Sequence, residues 1–329
     1  MIAGLKQHIS KYPRLKKALK SAKTTILGAA LGIIKSGSLR SGLTVFVYHD
    51  VSPSPAESSR RYSLNVPPSV FEFQLEFIKK RFNVIGPDEL LSGKVPPKAA
   101  LITFDDGLKG FFTYAVPLLE KHELPVIIFM NMAPVKGEVF WSGLITYLCE
   151  KRDDFVPYLK ERAGNGFNEK APFLSCSREI VHSYLNASGR SFDEEVSAFI
   201  GPFAAEDDLK AASGIKNIYF GNHLYNHDNA LLLSDSELIE SFRKNEEALA
   251  AYSNTRPLFA FPFGQPGACF NEREMDILFA NGAKKIFSSF PVVNVNPSAR
   301  FLHRIALYET DRSCPKIWHR IFRQRNQAY

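Results

Sequence analysis

Two adjacent carboxylates, Asp105 and Asp106, follow an apolar run and precede a glycine in Thr103-Phe104-Asp105-Asp106-Gly107. Neighbouring residues at a strand end diverge in direction, so one carboxylate can bind a cation while the other faces a substrate or a water. Taken alone, the same turn also serves as a helix cap. Farther along, Gly221-Asn222-His223-Leu224-Tyr225-Asn226-His227 carries two histidines at i and i+4. In a helical turn that spacing puts both rings on one face, where they can converge on one ion. With Asp106 or Asp105 they make a two-histidine, one-carboxylate set that leaves positions open for water and substrate, a catalytic rather than a structural arrangement. A lone histidine is more often a satisfied polar group, and it is the pairing that raises the metal reading. The third segment runs from Arg256 to Gly264 and ends in Pro262-Phe263-Gly264. The backbone N–H groups of that rigid turn can face a developing oxyanion, although a strand followed by a plain turn has the same sequence.

Such segments act together only if a scaffold gathers the ends of several strands. Short apolar runs at Leu43 to Tyr48, Ala99 to Phe104, Pro125 to Met130, Asn217 to Phe220, Leu258 to Phe261, Lys285 to Ser288 and Phe301 to Ile305 have the length and composition of buried strands. Helical periodicity falls between them at Ser69 to Arg81, Leu108 to Lys121 and Asn271 to Ala280, with a further helix opened by the capping box Ser234-x-x-Glu237. Repeated β-α alternation predicts a parallel sheet, and seven or eight strands favour closure into a barrel. In such an α/β fold the chemistry gathers at the carboxyl ends of the strands. From about 141 to 215 the pattern becomes helical and irregular, which predicts an insertion that forms a flap or substrate wall.

The chain has 329 residues, 45% of them hydrophobic, with 41 Lys+Arg against 34 Asp+Glu and a formal net charge of +7. This composition supports a full globular core and excludes a disordered or disulfide-stapled chain. The excess charge is local. Residues 1–49 hold nine basic residues and no acidic one, so the remainder carries 32 basic against 34 acidic groups, a net of −2. Nucleic acid is therefore not the expected partner. From Arg14 to Lys35, apolar residues at spacings of three and four predict an amphipathic helix with a lysine-rich face within residues 1–41, followed by the catalytic domain, 42–329. Its apolar stretch Thr24 to Ile34 is half the length that spans a bilayer. A helix resting on an anionic membrane surface through residues 1–40 is the favoured reading, ahead of a secretory signal or a helix packed on its own domain. The four cysteines are scattered, with no Cys-x-x-Cys pair, and read as free thiols.

Taken together and in order, TFDDG, GNHLYNH and RPLFAFPFG resemble the motifs of polysaccharide deacetylases of the NodB-homology type, carbohydrate esterase family 4, over about Thr44 to Leu307. The resemblance implies a distorted (β/α) barrel of seven or eight strands. It also implies Asp105 as general base, Asp106, His223 and His227 as ligands of a divalent metal (Zn²⁺ most simply, with Co²⁺ or Ni²⁺ as alternatives), and the Phe263 backbone N–H as oxyanion donor. For the general acid, Tyr48-His49-Asp50-Val51 is similar to the branch that deacetylates poly-N-acetylglucosamine and points to His49. Family members usually place a histidine in a Leu-x-His segment near the end of the domain, and Phe301-Leu302-His303-Arg304-Ile305 offers His303 as the alternative. Three departures stand out. Ala260 occupies the place of the arginine that usually orients the base, which leaves Arg256 or another cation as a substitute; Leu224 replaces the usual Ser or Thr; and the family's Asp-Trp segment is not recognisable around Phe287 to Val292. Val139-Phe140-Trp141-Ser142, ahead of the insertion, resembles deacetylases of lipopolysaccharide and exopolysaccharide assembly and makes Trp141 a candidate substrate-wall residue.

The expectation is a metal-dependent hydrolase that removes an N-acetyl group from an amino sugar of a bacterial surface glycan or its lipid-linked precursor. Its expected location is the cytoplasmic face of the inner membrane, with export as the alternative. An O-acetyl esterase on the same scaffold and a glycan-binding pseudoenzyme are the competing readings.

Overall fold

A computed structural model describes residues 42–189 and 194–322. The basic amphipathic helix expected in residues 1–41 lies outside the described residues. The strands are β1 Leu43–Tyr48, β2 Asn83–Val84, β3 Ala99–Asp106, β4 Val126–Met130, β5 Ile218–Asn222, β6 Thr255–Ala260, β7 Lys285–Phe287, β8 Phe301–Leu302 and β9 Ile305–Ala306. They form one sheet in the order β8-β7-β6-β5-β4-β3-β1-β9, with β2 added beside β3. Every pairing between these strands is parallel.

The two ends of that order lie close in sequence. β8 pairs with β7 and β9 pairs with β1, yet Leu302 and Ile305 are separated by only three Cα steps, at most about 11 Å of chain. The sheet therefore has to curl until its edges face each other across His303 and Arg304. The result is the distorted barrel that the β-α alternation predicts, with one seam spanned by a single broken strand.

Strand periodicity divides the buried residues between two faces. Val45, Leu101, Ile127, Phe129, Leu258 and Leu302 belong to the apolar cluster inside the curl, whereas Phe46, Ile102, Phe104, Ile128 and Met130 pack outward under the helices. The outer layer includes the helix Pro68–Arg81, which buries Phe71, Leu75, Phe77 and Ile78, and the helix Cys314–Phe322, whose Trp318 meets Phe77 edge-on with ring centroids 5.1 Å apart. Each buried side chain of this size contributes about 1.5–3 kcal/mol of transfer free energy.

Between β4 and β5, the helices Trp141–Lys151, Phe155–Ala163, Arg178–Ser188 and Glu194–Ile200 form their own apolar cluster around Leu144, Leu148, Phe155, Leu159, Val181 and Phe199. The following helix, Glu206–Ser213, instead buries Leu209 and Ala212 in the main core. One expected helix changes form. The segment after β3 opens as a π-helical turn, Phe111–Ala115, before the α-helix Val116–His122. Pro117 lacks the N–H that an α-helix would direct at the Thr113 carbonyl, so the chain widens there.

Candidate active site

The carboxyl ends of the parallel strands converge on a cleft of about 750 Å³ whose lining includes His49 after β1, Asp105 and Asp106 of β3, His223 and His227 after β5, Phe263 after β6, and Arg304 between β8 and β9. Period-two alternation explains the carboxylate pair. Asp105 follows Leu101 and Thr103 on the inner face, while Asp106 adopts a left-handed φ of 74° that redirects its side chain. Four of the eight non-glycine residues with positive φ are Asp106, Leu224, His227 and Phe263. Such conformations cost on the order of 1–3 kcal/mol each and persist where surrounding structure enforces them, so backbone strain is concentrated in these three motifs.

Asp106, His223 and His227 offer ligand atoms that all lie within 4.8 Å of one another, and all three residues are buried. His223 Nδ1 lies 2.7 Å from the Ala260 carbonyl. A carbonyl only accepts, so Nδ1 carries the proton and Nε2 presents its lone pair. That Nε2 is 3.5 Å from Asp106 Oδ1, and His227 Nε2 is 3.1 Å from the same oxygen. Asp106 Oδ1 is nevertheless buried without an aligned hydrogen-bond donor. Burial raises the Asp106 carboxyl, but the imidazoles of His227 and His223 outweigh this and hold it well below the usual carboxylate range. Burial likewise pushes the His227 imidazole down, toward its neutral form. An ionised carboxylate and two imidazole nitrogens gathered within 4.8 Å of one another fit a divalent cation, and Zn²⁺ suits this donor set.

Asp105 has a different environment. Arg304 grips it with two parallel bonds, Nη1 to Oδ1 at 2.6 Å and Nη2 to Oδ2 at 2.8 Å, and both side chains are buried. Arg304 also donates from Nε to the Ser288 carbonyl and lies against the Phe129 ring. Burial would raise the Asp105 carboxyl, but the Arg304 guanidinium, with the His223 and His49 imidazoles, holds it below its ordinary value. His49 Nε2 stands 3.9 Å from Asp105 Oδ2, on the open side of the cleft.

A buried amide network supports the histidine segment. Asn131 donates to the carbonyls of His223 and Leu224, Asn245 bridges Met130 and Asn222, and Asn222 reaches Glu246. Arg178 of the insertion donates to Asp228, the residue after His227, at 3.0 Å. Phe140 and Phe263 flank the His227 ring, with centroids 5.3 and 4.8 Å away. The Phe263 N–H meets no acceptor among the described residues, while Phe263 and Gly264 are both left-handed and pinned by Ser289.

Three expected residues take other places. Arg256 pairs with Asp88 on the outside of the sheet; the guanidinium beside Asp105 is that of Arg304, which enters from the β8–β9 junction. His303 precedes Arg304 in an extended segment, so it points the opposite way, bonded to Ser288 and packed on Phe301 rather than lining the cleft. Trp141 turns its ring onto His182, and its neighbour Phe140 reaches the cleft instead. Arg304 lies beside His303 in Phe301-Leu302-His303-Arg304-Ile305, and its signal in the sequence is an arginine on the same strand face as Leu302 and Ala306.

No protein-family profile matches the sequence, and no curated protein does either. Among solved structures, the chain is similar to the Streptococcus pyogenes deacetylase PplD in complex with acetate, at 16% identity and a TM-score of 0.57 over 86% of this chain and 99% of that one. It is also similar to IcaB from Ammonifex degensii, at 19% identity and a TM-score of 0.55 over 85% and 97% of the two chains. A de-N-acetylase from Aggregatibacter actinomycetemcomitans aligns at 13% identity with a TM-score of 0.55 over 85% and 99%. The fold is shared with these polysaccharide-deacetylase structures.

Proposed function

We propose that this chain is a metal-dependent deacetylase that hydrolyses the N-acetyl group of an amino sugar in a surface glycan or its lipid-linked precursor. The observation that carries the reading is the juxtaposition of two unlike carboxylates: Asp106 facing two histidines with an orphaned oxygen, and Asp105 held ionised by a buried arginine. The shared fold with deacetylases supports it.

A divalent cation held by Asp106, His223 and His227 would polarise the acetamide carbonyl and lower the pKa of a water beside it. Asp105 then takes the proton of the attacking water. Its ionised form is what Arg304 maintains, and the bidentate grip also fixes the direction of its lone pairs. As the carbonyl carbon becomes tetrahedral, charge gathers on its oxygen, and the free Phe263 N–H is the backbone donor available to it. His49, across the opening from Asp105, delivers a proton to the leaving amine; without it the amine would depart as an unstable anion. Phe140 and the other insertion residues exclude water from one side of the cleft and strengthen these interactions.

The same proposal puts the basic residues 1–40 on an anionic membrane surface. Fractionating cells that express the full chain and Δ1–40 tests it: the full chain is expected with membranes at low salt, and two fully soluble forms refute the anchor. Acetate release from N-acetyl and O-acetyl sugars separates the amide reading from the esterase one. Release confined to the N-acetyl sugar is expected, and release confined to the O-acetyl sugar overturns it. Loss of all release in Asp105→Asn with metal retained argues against a binding-only role.

A further inference from the structure

The active-site cleft does not end at the reacting groups. A second cavity of about 640 Å³ shares Ser59, Tyr62 and Tyr308 with it, so the two adjoin across those side chains. Beyond the tyrosines the walls change character, from the phenylalanine-rich surroundings of His227 to Arg60, Ser63, Asn65, Glu309 and Thr310.

Two guanidinium groups lie on either side of the shared tyrosines, Arg60 lining the outer chamber and Arg320 the active-site cleft. Arg320, on the active-site side, is held by Asp311, with Nε and Nη2 at 3.2 and 3.3 Å from its two oxygens, and is stacked 4.6 Å over the Tyr308 ring. Asp311 also accepts from the Tyr308 backbone N–H at 3.0 Å, so one carboxylate fixes both the ring and the cation above it. The Arg320 Nη1 group has no acceptor among the described residues. Arg60, on the outer side, is exposed and forms no ion pair among the described residues, Glu57 one turn earlier being paired with Lys151 at 2.6 Å. The neighbouring Arg61 pairs with Glu150, and Glu309, the only carboxylate among the described residues that line the outer chamber, is paired with Arg312. Among the described residues, the charge left without a partner in the chamber is therefore positive.

We propose that this chamber is an anion-selecting subsite: it receives the unit next to the N-acetylated sugar, and that unit carries a phosphate or carboxylate group recognised by Arg60 with Arg320 and the tyrosines. Guanidinium forks match both groups with paired charge-assisted bonds, and Tyr308 offers an apolar face with a hydroxyl at its rim, while Tyr62, whose hydroxyl donates to Glu150, contributes its ring alone. The inference rests on the deacetylase reading and adds to it the chemistry of the flanking unit.

Calorimetric titration tests the chamber without reference to catalysis. Three disaccharides with the same N-acetyl sugar are titrated into the full chain: one neutral, one with a phosphate monoester on the second unit, and one with a uronic acid as the second unit. One or both charged forms are expected to bind about tenfold to a hundredfold more tightly, the range of one charge-assisted hydrogen bond. In Arg60→Ala the ratio of charged to neutral affinity is expected to fall toward one, and in Arg60→Glu to invert. The relative rank of phosphate and carboxylate identifies the anion. Equal affinity for all three in the wild type, or a ratio unmoved in Arg60→Glu, overturns the proposal. Acetate release from the same compounds keeps the two claims apart. Tight charged binding with no release sinks the deacetylase reading alone, and equal release and binding from all three sinks the subsite alone.

Discussion

Replacing Arg304 with methionine removes one half of the ion pair that holds Asp105, the proposed base, while its long apolar stem keeps much of the packing against Phe129. Arg304 and Asp105 are 1% and 5% exposed and joined by two bonds. Breaking a buried pair from one side leaves an uncompensated charge and costs about 3–5 kcal/mol. The sign of its pH dependence follows from the same geometry. In the wild type the Asp105 carboxyl is depressed, so it stabilises the fold above the ordinary carboxylate value of about 4, and that stabilisation is lost as the pH falls through its folded-state value. In Arg304→Met burial acts with less opposition and moves the carboxyl upward. The stability deficit is then largest at neutral pH and shrinks toward pH 4, and the acid limb of kcat/KM moves to higher pH. Urea unfolding between pH 4 and 8 reads the first effect and a pH–rate profile the second. Adding Asp105→Asn removes the stranded charge, and the double variant is expected to recover on the order of 2 kcal/mol relative to additivity. A deficit below about 1 kcal/mol, or one that is the same at every pH, would refute the reasoning.

Further expectations rest on other contacts. His49→Gln is expected to lower kcat by about a hundredfold to ten-thousandfold, the range for a lost general acid, while His303→Gln, whose ring faces Ser288 and Phe301, changes it less than about tenfold; the reverse order in steady-state assays would return the acid role to His303. Gly110→Ala places a methyl group 2.0 Å from Asp50 Oδ1 and 2.7 Å from the Val51 carbonyl. The strain of such overpacking, about 1–3 kcal/mol, is expected as a lower urea midpoint. Burial pushes the Cys269 thiol up to about 11 and the Cys149 thiol to about 12, so both are expected to react with a thiol reagent at pH 7.5 only after unfolding. Prompt labelling of either in the folded protein would contradict their placement.

The hydrophobic runs were sufficient to locate most of the sheet, because a buried parallel strand is apolar on both faces and stands out from its surroundings. Leu43–Tyr48 and the capping box at Ser234 appear as the sequence predicts. Short elements were not legible: Asn83–Val84 is a two-residue addition to β3, and Cys314–Phe322, although it carries an apolar stripe of Ile317, Trp318 and Ile321, is a nine-residue helix near the end of the chain that packs on Phe77 and Phe82. In the site, the aspartates and histidines stood out by type and spacing, whereas their partners did not. Asn131 and Asn245 are ordinary residues until the fold sets them against backbone carbonyls. Arg304 was overshadowed by the adjacent histidine, and only the alternation of an extended strand decides which of the two faces inward. The left-handed backbone at Asp106, His227 and Phe263 has no sequence signature, since glycine is the residue expected there.

The proposed chemistry requires Asp106, His223 and His227 to hold one divalent cation on which deacetylation depends. The most direct measurement strips the protein with a chelator and follows acetate release from an N-acetylated amino-sugar oligomer as Zn²⁺ is added back in known equivalents. No release is expected from the stripped protein, followed by a rise that saturates at one equivalent per chain. In Asp106→Ala, the rise should be lost together with tight binding of the ion. Full activity in the stripped protein, or a saturation point unaffected by Asp106→Ala, would contradict it.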